Sequence, residues 1–204
     1  SSTLALSSLN GTTGFRLDGI ASGDQSGFSV SGGGDINGDG LADLVIGTYS
    51  TVGAAEQSYV VFGATSFSSS LALSSLNGTT GFRIDGIDTG DRSGSSVSNA
   101  GDINGDGFDD IIIGAKLADS GGSADDGESY VVFGASSFSS TLALSSLNGT
   151  NGFRIDGIDG GDQSGTSVSG AGDINGDGFD DLIIGAPGAD GGAGADVGES
   201  YVVF

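Results

Sequence analysis

The 204 residues contain no cysteine, histidine, methionine or tryptophan, a single proline at Pro187, and only 5 Lys+Arg against 27 Asp+Glu. Each absence closes a class. Without cysteine there are no disulfides, no thiolate metal site and no thiol nucleophile, and the redox compartment leaves no mark. Without histidine, the abundant serines lack the usual general base, and zinc and copper lose their usual ligand. A formal charge of −22 repels nucleic-acid phosphates and disfavours anionic membrane surfaces. No apolar stretch approaches the roughly 18–20 residues of a membrane helix. The opening SSTLALSSLNG lacks the basic segment of a signal peptide, so any secretion signal is expected elsewhere. High acidity can also mean disorder, but the apolar residues sit in discrete β-rich runs, the pattern of a folded chain.

What the chain has is glycine, 42 of them, and repetition. GFRLDGI starts at Gly14, and GFRIDGID at Gly81 and Gly152. SYVVF starts at Ser58, Ser129 and Ser200, in steps of 71. Approximate repeats are 1–67, 68–138 and 139–204 of one domain spanning 1–204. Between the acidic segments and SYVVF the copies differ in length, as surface loops do. Each copy carries four β-like runs: FSVSG, SSVSN or TSVSG; DLVIG, DIIIG or DLIIG; SYVVFG; and GFRIDG. The second and third are nearly all apolar, which suits strands covered on both faces. The fourth alternates, with Phe82 and Ile84 one way and Arg83 and Asp85 the other, which suits a half-exposed outer strand. LALSSLNG is long enough for a helical turn and no more.

Four antiparallel strands per repeat describe the blade of an all-β propeller. The chain starts with a fourth-type strand within residues 1–18 and ends on a third-type strand. The last blade therefore lacks its outer strand, and the first residues supply a spare. Propellers have four to eight blades, so three are too few. The chain is either a piece of a longer array or half of a six-bladed ring closed by a head-to-tail homodimer. The matching spare and missing strands favour the dimer, whose heterologous contact closes by two-fold rotation.

GDINGDGLADLVIG, GDINGDGFDDIIIG and GDINGDGFDDLIIG place clustered carboxylates directly before each apolar strand. Counting from the first Asp, position 1 is Asp35, Asp102 or Asp173, and position 3 is Asn37, Asn104 or Asn175. Position 5 is Asp39, Asp106 or Asp177, and position 9 is Asp43, Asp110 or Asp181. Gly40, Gly107 and Gly178 at position 6 permit a sharp turn. The carbonyls of Leu41, Phe108 and Phe179 at position 7 are free to face inward. Such an oxygen cage with three carboxylates suits Ca2+, three sites per chain. An EF-hand would need Glu at position 12, where Ile46, Ile113 or Ile184 stands, and flanking helices. A nonapeptide β-roll would need short tandem repeats, which are absent. A metal-free Asp/Asn/Gly turn is the remaining alternative. Position 8 is Ala42, Asp109 or Asp180, an exchange a ligand would not tolerate, so its acid is expected in solvent.

SGTSVSGAGDINGDGFDDLIIGAP, from Ser164 to Pro187, resembles the FG-GAP repeat of integrin α-subunit propellers and of many secreted bacterial proteins. The likeness extends through GESYVVF and covers essentially all three copies. It implies four-stranded blades with calcium between the first and second strands, held by positions 1, 3, 5, 7 and 9. The Gly-Ala-Pro element is complete only at Gly185–Pro187, and integrin propellers have seven blades, so ligand-binding behaviour does not carry over.

Arg16, Arg83 and Arg154 with Asp18, Asp85 and Asp156, and Glu56, Glu128 and Glu199, are expected to form cross-strand ion pairs at blade edges; a ligand-binding arginine ring is the alternative. Asp24, Asp91 and Asp162 suit Asx-turns, and Asn-Gly at Asn10, Asn77 and Asn148 reads as a turn ahead of a glycosylation sequon. The expected function is a secreted or cell-surface calcium-stabilised structural, adhesion or protein-interaction module, with no enzyme activity. Its protein or glycan ligand is expected on the face opposite the calcium loops. A carbohydrate-binding propeller is the alternative, and a hydrolase would need an acid pair outside those loops.

Overall fold

The computed structural model of the chain describes residues 3–49, 56–120, 124–190 and 197–204. The length-variable stretches at 50–55, 121–123 and 191–196, and with them much of the expected ligand face, lie outside those residues.

Three sheets stand side by side. The first runs β2 (Ser29–Gly34), β3 (Asp43–Gly47), β4 (Gln57–Val61) and β6 (Gly81–Asp85), all antiparallel. The second repeats it with β7 (Ser93–Gly101), β8 (Asp110–Ala115), β9 (Glu128–Val132) and β11 (Gly152–Asp156). The third has β12 (Ser167–Gly172), β13 (Asp181–Ala186) and β14 (Glu199–Val203), with no fourth strand among the described residues. These are propeller blades, and each outer strand comes from the following sequence repeat. β1 (Arg16–Asp18) corresponds in sequence to these outer strands and pairs with no inner strand among the described residues.

Alternation along one strand explains how the blades stack. In β8, Ile111 and Ile113 join the core against the first blade, while Ile112 joins the core against the third. Each is fully buried. A strand with both faces dry needs three β-branched residues in a row, and DIIIG supplies them. Phe82 and Ile84 turn together into the first of these cores, as their alternation with Arg83 and Asp85 requires.

The LALSSLNG segments do more than make a turn. Leu6–Ser8, Leu73–Ser75 and Leu144–Ser146 each form one turn of 3₁₀ helix. The residues ahead of two of them form strands the alternation did not announce. β5 (Ser70–Ala72) runs parallel to β1, and β10 (Thr141–Ala143) runs parallel to β6 in the same register. The fourth strand of the first blade is therefore flanked on both edges. Its aromatic partner repeats too: Phe82 stacks on Phe138 at 4.3 Å, as Phe15 stacks on Phe67 at 4.1 Å.

Small residues border the seams between blades. Ser29 Oγ accepts the Val97 N–H at 3.0 Å, Ser31 Oγ that of Asn99 at 3.1 Å, and Ser96 Oγ that of Val168 at 3.0 Å. A Cβ on Gly47 would collide with the Gly94 carbonyl, and one on Gly114 with the Gly165 carbonyl. Glycine at these two places sets how closely adjacent blades approach.

The turn assignments fare unevenly. Asn10 Oδ1 accepts the N–H groups of Thr12 and Thr13, each at 3.0 Å, and Asn77 does the same with Thr79 and Thr80, while Asn148 accepts Thr150 N–H and donates its own N–H to Asn151 Oδ1. Asp24, Asp91 and Asp162 reach backward instead, each accepting the N–H three residues earlier. At the outer strands the ion pairs are mainly within one strand, Arg83 to Asp85 at 2.7 Å and Arg16 to Asp18 at 2.5 Å. The cross-strand pair forms in the second blade, Arg154 to Glu128 at 3.1 Å. Glu56 is not its counterpart. Gln57 takes that place and donates to Asp85, while Glu56 sits one residue earlier, buried, against Arg92 at 3.4 Å.

Gly114→Val is expected to cost about 3 kcal/mol or more, because backbone on the facing blade must move. Urea unfolding measures it; a loss below about 1 kcal/mol would show that the seam is looser than described.

Candidate metal centres

The three acidic loops fold alike, and backbone N–H groups shape them. Asp35 accepts Asp39 N–H at 3.0 Å and Gly40 N–H at 2.8 Å through its two carboxylate oxygens. Asn37 Oδ1 accepts Asp39 N–H at 2.9 Å, and Asp39 Oδ1 accepts Leu41 N–H at 2.8 Å. The same bonds recur at Asp102, Asn104 and Asp106, and at Asp173, Asn175 and Asp177. Gly40, Gly107 and Gly178 have φ of 84°, 90° and 95°. That is the left-handed conformation the sharp turn demands.

Position 9 is set apart by burial. Asp43, Asp110 and Asp181 are at most 1% exposed, at the mouth of the dry strand. Asp43 Oδ2 accepts Ile36 N–H at 2.9 Å and Oδ1 accepts Gly63 N–H at 2.7 Å. Asp110 is held the same way by Ile103 and Gly134. Asp181 keeps the bond from Ile174, and its Oδ1 has no partner. Burial pushes the Asp43 carboxyl above its ordinary range and Asp110 up to about 7. The two N–H groups on Asp110 pull it back, and the charges of Asp106 and Asp102 add to the push.

Position 8 departs from expectation. Asp109 and Asp180 are half-buried and bonded to the neighbouring blade. Asp109 Oδ2 accepts Asp35 N–H at 2.6 Å, and the Asp109 N–H donates to the Asp35 carbonyl at 3.2 Å. Asp180 grips Asp102 in the same two ways, at 3.0 and 3.3 Å. The aromatic ring at position 7 joins in. A Cβ on Gly38 would run into the Phe108 ring, and one on Gly105 into the Phe179 ring. The Ala42/Asp109/Asp180 exchange thus marks a contact between loops, a role that pattern within a single loop could not reveal.

The sequence matches the FG-GAP repeat over residues 26–61, 93–132 and 164–203. The chain belongs to the FG-GAP repeat family. It is 34% identical over 175 residues, 82% of its length, to "Integrin alpha-PS5" of Drosophila melanogaster. It is 31% identical over 185 residues, 89% of its length, to "Integrin alpha-5" of Xenopus laevis. These spans are 15% and 17% of the two relatives, so the FG-GAP chain corresponds to a small part of each.

Chemically, each FG-GAP loop offers oxygen alone: three carboxylates, one amide and one backbone carbonyl. That set fits a hard divalent cation of calcium's kind. As the side chains stand, no group of three or more acids among the described residues is gathered closely enough to hold a metal ion. The reason is visible in the bonds: position 9 is turned onto N–H groups in the strand mouth, and positions 1 and 5 onto the loop's own backbone. Each carboxylate oxygen retains a second lone pair.

The raised carboxyls fix a pH dependence for metal-free protein. The folded-state values of Asp110 (about 7), Asp91 (about 6) and Asp43 all lie above the ordinary aspartate value, burial being the largest cause. Between roughly pH 4 and 7 the folded state holds more protons than the unfolded one, so stability falls as pH rises. Self-repulsion at high net charge acts in the same direction. In excess chelator the thermal midpoint is expected to be higher at pH 5 than at pH 7.5. An equal or lower midpoint at pH 5 would contradict the strain assigned to these acids.

Proposed function

We propose that the chain is a calcium-stabilised, extracellular or cell-surface propeller module for adhesion or protein interaction. The observation that carries this reading is the threefold recurrence of one all-oxygen loop, with the bonds at positions 1, 3 and 5 shared by all three copies, at the same edge of successive blades. The ligands in each loop are the side chains at positions 1, 3, 5 and 9 and the carbonyl at position 7. For the second loop these are Asp102, Asn104, Asp106, Asp110 and Phe108. Bound calcium would supply the positive charge that offsets repulsion among three clustered carboxylates. The integrin relatives and the FG-GAP membership support an adhesion or interaction role. No helix among the described residues is long and apolar enough to cross a membrane.

The buried acids outside the loops have structural work. Asp126 is bonded to Ser120, Glu128 to Tyr130 and Arg154, and Glu56 to Arg92. The carbohydrate alternative draws on two equivalent grooves at the blade rim, of about 390 and 460 Å³. Serine and threonine hydroxyls line both, from Ser66 to Thr80 and from Ser137 to Thr150. Glycan-array signal lost on Thr79→Val and Thr150→Val would favour it, and a blank array would remove it.

Ligand at 100 times its Kd adds about 2.7 kcal/mol per site, so three sites rival a typical domain's whole stability of about 5–15 kcal/mol. Calcium titration by calorimetry should give three equivalents per chain, and Asp106→Asn should remove or weaken one. Millimolar calcium should raise the thermal midpoint well above that in chelator. Superposable melts, or no heat of binding, would end the calcium reading.

A further inference from the structure

Six asparagines stand directly before a glycine: Asn10, Asn77 and Asn148 in the turns after the 3₁₀ helices, and Asn37, Asn104 and Asn175 in the acidic loops. Asparagine is among the thermolabile residues, and a following glycine has no side chain to shield its nitrogen. That nitrogen is the nucleophile. It loses its proton to hydroxide and attacks the asparagine Cγ. The new C–N bond closes a five-membered imide, while the side-chain nitrogen takes a proton from water and leaves as ammonia. A second water opens the imide at either carbonyl and gives aspartate or isoaspartate. Water is the only co-reactant, and nothing is oxidised or reduced.

In five of the six pairs the fold withholds the nucleophile. Gly11, Gly78 and Gly149 donate their N–H groups to the carbonyls of Gly14, Gly81 and Gly152, at 2.9, 2.8 and 2.9 Å. Gly105 donates to Asp102 Oδ1 at 2.8 Å, and Gly176 to Asp173 Oδ1 at 2.6 Å. An N–H held by a carboxylate is protected twice. The bond must open first, and the nitrogen anion left behind would face a negative charge.

Gly38 differs. The matching oxygen in its loop, Asp35 Oδ1, accepts the Asp39 N–H at 3.0 Å, and the Gly38 N–H has no acceptor among the described residues. Gly38 is exposed, so hydroxide and water reach it. The electrophile is in place as well, because Asn37 Oδ1 accepts the Asp39 N–H at 2.9 Å, which polarises the amide. We propose that Asn37 is a site of spontaneous deamidation, the Asn-Gly pair of the six whose backbone nitrogen the folded chain leaves unbonded.

Local sequence cannot single it out. Ile-Asn-Gly-Asp-Gly is identical in the three loops, and the Phe179 ring lies against Gly105 as the Phe108 ring lies against Gly38. The product changes the loop at its tightest point. Aspartate adds a fourth carboxylate to positions 1–9. Isoaspartate lengthens the main chain by one carbon between Asp35 and Asp39, whose N–H now bonds back to Asp35. Asp35 is also the residue that Asp109 holds across the seam, so the damage falls where two blades meet. The inference rests on hydrogen bonding and needs no bound metal.

The test keeps the full chain in chelator at mildly alkaline pH, folded in one sample and unfolded in concentrated urea in another. Peptide mass spectrometry then follows the gain of about one dalton at each asparagine. In urea Asn37, Asn104 and Asn175 should convert at one rate, since their neighbours are the same. In the folded chain Asn37 should lead the other two by roughly tenfold or more, the cost of opening one hydrogen bond to a charged acceptor. Amide exchange followed by NMR should show the Gly38 N–H exchanging faster than those of Gly105 and Gly176. Equal rates for the three in the folded chain, an equal lead for Asn37 in urea, or a Gly38 N–H as protected as its counterparts would overturn the proposal.

Discussion

One buried carboxylate per blade lets an acid-lined loop grow out of a dry strand. Asp43, Asp110 and Asp181 open β3, β8 and β13, and each fastens the loop to the strand through backbone N–H groups. Burying an ionised group this deeply is costly unless its oxygens are bonded. Two N–H donors from separate segments meet that need in the first two blades. They also tie the end of the third strand, through Gly63 and Gly134, to the start of the second. Remove the carboxylate and the loop loses its anchor, the third strand its tether, and the two N–H groups their acceptor.

From that anchor the architecture extends sideways. The loop of each blade presents its first Asp N–H and carbonyl to the next blade, and Asp109 or Asp180 takes both. Phe108 and Phe179 cover the glycine at position 4 of the neighbouring loop. Adjacent loops are thus linked across the seam by two hydrogen bonds and a ring contact. Stability in such stacks is a sum over units and nearest-neighbour seams. The loops belong to the seam term as well as to the blade.

Much of the blade was legible from residues alone. The apolar runs at Leu44–Ile46 and Ile111–Ile113 mark strands dry on both faces, the alternation at Phe82–Asp85 marks a strand dry on one, and the 71-residue return of SYVVF marks the repeat. Two features escaped. β5 and β10 are three residues long and lie against the blade through parallel backbone bonds, so they leave no periodic trace in Ser-Leu-Ala or Thr-Leu-Ala. The acid at position 8 reads as a solvated group from the sequence, because its partner lies 74 or 78 residues away on another blade. A difference between repeats was the available clue: Asp109 and Asp180 follow a neighbour, and Ala42 does not. The residues proposed as calcium ligands lie on three loops of like fold, while the metal itself is a proposal from donor chemistry. The backward bonds of Asp24, Asp91 and Asp162 show a smaller limit, since composition names a turn residue without saying which way it reaches.

How a chain of charge −22 stacks its sheets at all follows from where the charge is kept. Long-range repulsion favours expansion, so the faces that meet must be neutral or answered. The interior seams are isoleucine and valine layers bordered by serine hydroxyls on N–H groups and by glycine against carbonyl oxygen. The acids that approach a seam, at positions 8 and 9, are met by backbone donors, which carry partial positive charge and need no basic side chain. This is why 5 basic residues suffice. Three of them, Arg16, Arg83 and Arg154, stand on outer strands, where the ion pairs are partly exposed and contribute little. Substituting lysines onto those rims would lower the net charge without touching what holds the blades. Replacing a seam serine or a loop N–H acceptor would leave the charge almost unchanged and loosen the stack.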